Sequence, residues 1–205
     1  MPDCFIFGAG DAPRELPCRP APGDLVIAAD AGYKTCLALA ITPDLLIGDF
    51  DSMEEPADFP YILRAPVEKD DTDTFLAAKK GIEQGCADFH IYGGTGGRLD
   101  HTIANLQLLF WLRVRGHRGY LYDGDFTYTA IQNEGITIRR TKEWALLSVF
   151  CMGPDAKGIT ERGVQYPLEN AVLTAGFPLG VSNHILEEEA HISVSDGALL
   201  LCWER

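Results

Sequence analysis

The chain has 205 residues, 46% of them hydrophobic, which is enough apolar mass for one large domain or two small ones with a real core. Its 17 basic and 30 acidic residues leave a formal net charge of −13. Such a surface is a poor electrostatic match for nucleic acid or an anionic membrane and a good one for a cationic small molecule.

Residues 4–8 and 25–29 are short apolar runs ending in Gly or Asp, and both read as buried strands of a parallel sheet. Residues 31–40 read as a short helix. Residues 45–47 form a third strand that runs into Gly48-Asp49, and 62–65 a fourth. Residues 72–84 carry a helical pattern, with Phe75, Leu76, Ala78 and Ile82 mostly on one face and Gly85 as the stop. Residues 89–92 are the next strand, which empties into a glycine run. Residues 100–115 then form a helix on the apolar face of Ile103, Leu106, Leu109, Phe110 and Val114. This alternation predicts an α/β layered domain with a mainly parallel sheet.

The pattern changes near residue 119. Residues 120–122, 128–132, 136–139, 145–151, 158–161, 171–175 and 191–203 read as strands, several of them separated by turn signals such as Asp123-Gly124, Glu134-Gly135 and Asp196-Gly197. No helix is expected after Gly116. The second part is therefore all-β, a small β-sandwich or folded sheet, and the boundary is placed between residues 1–122 and 123–205.

No apolar run approaches the ~20 residues of a membrane span. Cys4, Cys18, Cys36, Cys86, Cys151 and Cys202 form no Cys-x-x-Cys pair, which argues against a zinc site. Without a signal peptide, they read as reduced thiols in a cytoplasmic protein.

Three segments carry the chemistry. Asp49 and Asp51 follow a buried strand in Gly48-Asp49-Phe50-Asp51-Ser52. In an open α/β sheet, ligands collect beyond the carboxyl ends of strands, and two carboxylates one residue apart can face one ion. A hydrated turn with Ser52 as a local cap is the alternative. An Asp-x-Asp also opens haloacid-dehalogenase-like phosphatases, but after the first strand, which here ends in Gly8-Ala9-Gly10. Lys69-Asp70-Asp71-Thr72-Asp73 opens a helix. Thr72 or Asp71 can cap it, which accounts for one or two of the acids but not for three behind a Lys.

The third segment is Gly93-Gly94-Thr95-Gly96-Gly97-Arg98-Leu99-Asp100-His101, between a strand and a helix. Its glycines make the empty loop entropically costly, and a phosphate at a helix N-terminus is the usual compensation. The spacing fits neither a Walker A loop nor the dinucleotide fingerprint. Arg98 can grip phosphate oxygens. Asp100 can accept from a substrate donor or cap the helix, and His101 reads as a helix-start residue rather than a base. In the second half the aromatic residues read as core, His184 and His191 as structural, and residues 187–189 as a solvated turn.

Together with Asp30-Ala31-Gly32 and Ser182-Asn183, these motifs stand in the order seen in thiamine pyrophosphokinases, and the chain resembles a bacterial-type member over essentially its whole length. It departs from the family where Asp30-Ala31-Gly32 replaces Asp-Gly-Gly, Gly93-Gly94 replaces Gly-Ala, and Phe75 replaces an acid. The resemblance implies an α/β catalytic domain over 1–122, a β-sandwich thiamine-binding domain over 123–205, and a homodimer with active sites between subunits. It implies ATP and thiamine as substrates, Mg²⁺ as cofactor, and AMP and thiamine diphosphate as products. By the same resemblance Asp49, Asp51 and Asp73 hold Mg²⁺, and Lys69 and Arg98 neutralise the polyphosphate. Asp30, Gly94, Gly96, Gly97, Arg98 and Asp100 shape the nucleotide side, and Asp73, Asp100, Ser182 and Asn183 the thiamine side. The alternatives are another Mg²⁺-dependent phosphatase or nucleotidyltransferase, or a thiamine or nucleotide sensor without catalysis. A sensor is expected to lose the metal carboxylates, and all are present.

Overall fold

The computed structural model of the chain describes residues 1–11, 15–48, 59–64 and 71–205; Asp49, Asp51 and Lys69 lie outside the described residues. Two compact units emerge, Met1–Leu108 with His117–Gly124, and Leu109–Gly116 with Asp125–Arg205.

The first unit is built on parallel strands β1 (Cys4–Phe7), β2 (Leu25–Ala29), β3 (Leu45–Gly48), β4 (Ile62–Arg64), β5 (Asp88–Tyr92) and β6 (Arg118–Asp123) in the order β6-β5-β1-β2-β3-β4. Phe5, Ile6, Phe7, Phe89, Ile91 and Tyr92 are all buried, as unbroken apolar runs in a parallel sheet require. The expected strands are present; of the one over 62–65, Ile62–Arg64 is described and residue 65 lies outside the described residues. The chain walks outward from β1 through β4, then returns to place β5 on the other side of β1. That reversal opens a crevice beyond the carboxyl ends of β1 and β5.

Helices α1 (Gly32–Ala38), α2 (Asp73–Glu83) and α3 (Leu99–Val114) sit where the periodicity placed them. Thr72 caps α2, its Oγ1 accepting from Phe75 N at 3.2 Å. Asp71 instead pairs with Lys79 at 2.7 Å. Gly32 lets α1 start under β1, because a Cβ there would stand 1.8 Å from the Phe7 carbonyl oxygen.

The second unit has two antiparallel sheets. One is β12 (Gly180–Ile185), β9 (Ala145–Cys151), β14 (Ala198–Glu204) and β7 (Phe126–Gln132), in that order. The other is β11 (Leu168–Leu173), β10 (Ala156–Arg162), β13 (Glu189–Ser193) and β8 (Gly135–Arg139). Ile131, Leu147, Val149, Leu199 and Leu201 of the first sheet and Ile138, Ile159, Leu173 and Ile192 of the second share one core, which makes the unit a sandwich. The run 191–203 is two strands, β13 and β14, with the turn signal Asp196-Gly197 between them and Gly197 at φ 117°. One expectation is corrected here: Ser182-Asn183 lies within β12, a strand that the pattern did not announce.

One polar side chain interrupts the sandwich core. Glu161 on β10 is 0% exposed. Its Oε2 accepts from Asn183 Nδ2 at 3.2 Å, while Oε1 has no partner among the described residues. Burial pushes its carboxyl pKa from 4.5 up to about 7, against the opposing Asn183 bond. The folded chain therefore keeps a proton that the unfolded chain releases. This contribution to stability is full below 4.5 and is lost as pH rises through about 7. The loss amounts to about 3 kcal/mol. His90, whose buried ring is held below its ordinary value, acts in the opposite sense, so the difference between proteins is the informative quantity. Urea unfolding of wild type and Glu161→Gln should give a stability difference that changes with this sign across the window. Parallel curves would mean that Glu161 is not a buried acid.

Candidate active site

The crevice between β1 and β5 is formed by two loops tied to each other through backbone. Gly8 N donates to Tyr92 O at 2.7 Å, Gly10 N to Gly93 O at 2.8 Å, and Asp11 N to Thr95 O at 2.9 Å. Such close approach has no room for side chains. A Cβ on Gly93 would stand 2.4 Å from Gly8 O, and one on Gly10 would stand 2.0 Å from Thr95 O. Gly93 and Gly96 also take left-handed backbone, φ 65° and 82°. The loop runs directly into α3, so its amides lie at a helix N-terminus, a setting that favours anions.

A cleft of about 240 Å³ opens there, walled by Asp30, Asp73, Gly94, Gly97, Arg98 and Asn105 among others. That is below the ~300–1,000 Å³ of a typical small-molecule site. Asp30 stands just past β2 with φ 48°, its backbone amide bonded to Ile47 O at 2.8 Å. Its carboxylate lies across Gly48, where a Cβ would meet Oδ1 at 1.9 Å. Asp73 enters from the first turn of α2. Thus two carboxylates from different elements face one cleft, and hard oxygen donors of this kind suit Mg²⁺ rather than a soft metal. Among the described residues no three His, Cys, Asp or Glu converge as a metal cluster.

Arg98 and Asp100 pair with each other, Nη2 to Oδ2 at 2.5 Å and Nε to Oδ1 at 3.2 Å. Arg98 holds the Asp100 carboxyl below its ordinary pKa. The pair is exposed, with side chains 75% and 62% accessible. Exposed pairs contribute little, so an incoming phosphate can capture Arg98 at small cost. Arg98 lines the cleft, whereas Asp100 does not.

In the second unit, Ser182 is exposed and sits at a β-bulge with φ 61°. Its amide donates to Ser148 Oγ at 3.0 Å. Asn183 is buried, and all its hydrogen-bonding capacity is used. Oδ1 accepts from Tyr166 N at 3.0 Å and His184 N at 2.9 Å, and Nδ2 donates to Tyr166 O at 2.9 Å and to Glu161.

Comparison with known proteins shows the family of the chain. Residues 22–121 match the family described as thiamin pyrophosphokinase, catalytic domain, and residues 135–199 match its vitamin B1 binding domain. Thiamine pyrophosphokinase of Bacillus subtilis is 30% identical over 183 residues, 86% of each chain. This chain belongs to the thiamine pyrophosphokinase family. It is an enzyme that transfers a pyrophosphoryl group from ATP to thiamine, giving thiamine diphosphate. The crystal structure of the Bacillus subtilis thiamine pyrophosphokinase superposes with a TM-score of 0.86 at 26% identity, covering 98% of both chains. A thiamin pyrophosphokinase family protein of Enterococcus faecalis superposes at 0.85 with 27% identity and 99% coverage of both.

Two residues of this thiamine pyrophosphokinase cleft escaped the reading of the sequence. Asn105, buried on α3, ties the helix to the glycine loop through Nδ2 to Gly94 O at 2.8 Å. A polar residue one turn beyond His101 and Thr102, within an apolar helix, was the available signal. Thr95 is 6% exposed, and its Oγ1 has no partner among the described residues. Nothing in its local sequence distinguishes it from a loop threonine.

Proposed function

We propose that the cleft beyond β1 and β5 binds the ATP polyphosphate and that Ser182 contributes to binding thiamine. The observation that carries this reading is the convergence of Asp30, Asp73, Arg98 and the glycine loop on one cleft at the sheet's reversal point. The thiamine hydroxyl oxygen attacks the β-phosphorus of ATP. The bond from that phosphorus to the bridging oxygen breaks, AMP leaves with the electron pair, and the hydroxyl proton passes to solvent. Catalysis of this type rests on positioning and charge neutralisation.

In this reading Asp73, with Asp49 and Asp51, holds Mg²⁺, and Asp30 shapes the nucleotide side. Bound there, the ion would neutralise polyphosphate charge. Lys69 and Arg98 counter the remaining phosphate charge, while Gly94, Gly96 and Gly97 admit the phosphates to backbone amides. Asp100 releases Arg98 to the nucleotide and turns to the thiamine side. Ser182 offers its hydroxyl to the thiamine pyrimidine, and Asn183 holds the strand that presents it. Residues 1–122 act as catalytic domain and 123–205 as thiamine-binding domain. The six free thiols fit a reducing cytoplasm. No helix among the described residues is long and apolar enough to cross a membrane.

Incubation with ATP, Mg²⁺ and thiamine should yield AMP and thiamine diphosphate in equal amounts. ADP with thiamine monophosphate, or free phosphate alone, would overturn the proposed transfer. The reading also makes the protein a homodimer with each site shared between subunits. Mixing inactive Asp49→Asn with Asn183→Ala subunits should then restore part of the activity, since some mixed dimers carry one intact site. No recovery, with subunit exchange shown separately, would place the whole site in one chain.

A further inference from the structure

The sandwich core contains a carboxylic acid that the proposed chemistry does not use. Glu161 lies on β10, in one sheet, and Asn183 on β12, in the other, so their 3.2 Å hydrogen bond crosses between the two sheets. The surroundings are apolar: Val164, Leu173, Ile185 and Ile192 belong to the same core. In the registers of its own sheet, Glu161 stands opposite Leu168 and Ile192. An aliphatic residue would fill this position without leaving a buried oxygen unpaired, as Oε1 now is among the described residues. Polar groups in cores are in some systems retained because they specify one arrangement out of several.

The arrangement that needs specifying is the bulge in β12. The β12–β9 register slips between Gly180 and Asn183, and Ser182 takes a backbone conformation that a non-glycine residue adopts at a cost. Immediately after it, Asn183 fastens β12 to the segment carrying Tyr166 through two bonds with the Tyr166 backbone, and its Oδ1 also accepts from the His184 amide within β12. Oδ1 can serve both amides only if the side-chain amide faces the right way round. The Tyr166 carbonyl takes one hydrogen of Nδ2. Glu161 takes the other, an acceptor that favours the same orientation.

We propose that Glu161 is a positioning residue for thiamine binding: from the sandwich core it orients the Asn183 amide, and through it the bulge that presents Ser182. This rests on the reading that Ser182 faces thiamine.

Three variants test it, each assayed for KM of both substrates and for kcat. Glu161→Met keeps the length and removes the acceptor. It should raise the KM for thiamine at least fivefold while the KM for ATP stays within twofold. Glu161→Gln restores a carbonyl oxygen facing Asn183 and should return the thiamine KM to within twofold of wild type. Ser182→Ala reports on the underlying reading. A raised thiamine KM in Ser182→Ala with an unchanged one in Glu161→Met overturns the positioning role alone. No thiamine effect in Ser182→Ala overturns the reading beneath it and the proposal with it. A melting-temperature loss in Glu161→Met without the KM split makes Glu161 merely structural and rejects the proposal. Should Glu161→Met not fold, Glu161→Thr, a strand-forming residue, takes its place with the same expected split.

Discussion

Asp73→Asn should lower kcat by about 100-fold or more, a barrier increase of about 2.7 kcal/mol, while hardly changing the melting temperature. The two effects separate because another residue supplies the helix cap. Thr72, not Asp73, caps α2. Asp73 adds a negative charge in the first turn, an effect of about 0.3–1 kcal/mol. Asn keeps the volume and one acceptor oxygen but removes the charge that a hard cation and a polyphosphate jointly require. Asp49→Asn and Asp51→Asn should behave alike, on the strength of their pairing in sequence after β3. Steady-state kinetics across a Mg²⁺ titration, beside thermal melts, checks all three. Near-normal turnover at ordinary Mg²⁺ in a folded Asp73→Asn protein would remove Asp73 from the metal site.

Gly96→Val should weaken binding of a non-hydrolysable ATP analogue at least tenfold, about 1.4 kcal/mol, and also lower the melting temperature. Gly96 has φ 82°, where a β-branched residue is strained by about 1–3 kcal/mol. A Cβ there would also stand 2.2 Å from Asp11 Oδ2, 2.4 Å from its Cγ and 2.6 Å from its Cβ. Asp11 has little freedom to retreat, since its backbone is bridged to Thr95. Gly97 is a different case. A Cβ there meets nothing within 4 Å, and its φ is not left-handed. Gly97→Ala should therefore leave stability unchanged and still reduce nucleotide affinity several-fold, because only the ligand would collide with the methyl group. Calorimetry with the analogue and Mg²⁺ measures both. Full affinity in Gly97→Ala would mean that phosphate does not approach this glycine.

Much of the architecture was legible because its signals are local. The apolar runs of β1, β2 and β5, the face of α2 and its Thr72 cap, and the alternation along β9 each depend on neighbours a few residues away. Strand–helix alternation followed by strands alone implied two different layers of construction, and the order of the acidic and glycine motifs implied the family. β12 escaped for a physical reason. Gly180, Asn183 and Ile185 are buried while Val181 and Ser182 are exposed, because the bulge adds a residue and breaks the two-residue period that a strand reading relies on. What only the tertiary structure decided are relations between distant segments. It separates Gly96, crowded by Asp11, from Gly97, open to the cleft. It brings Asn105 and Thr95 to the same cleft, and joins Glu161 to Asn183 across the sandwich. No periodicity encodes these meetings: the chain chemistry set which groups were available, and packing set which of them touch.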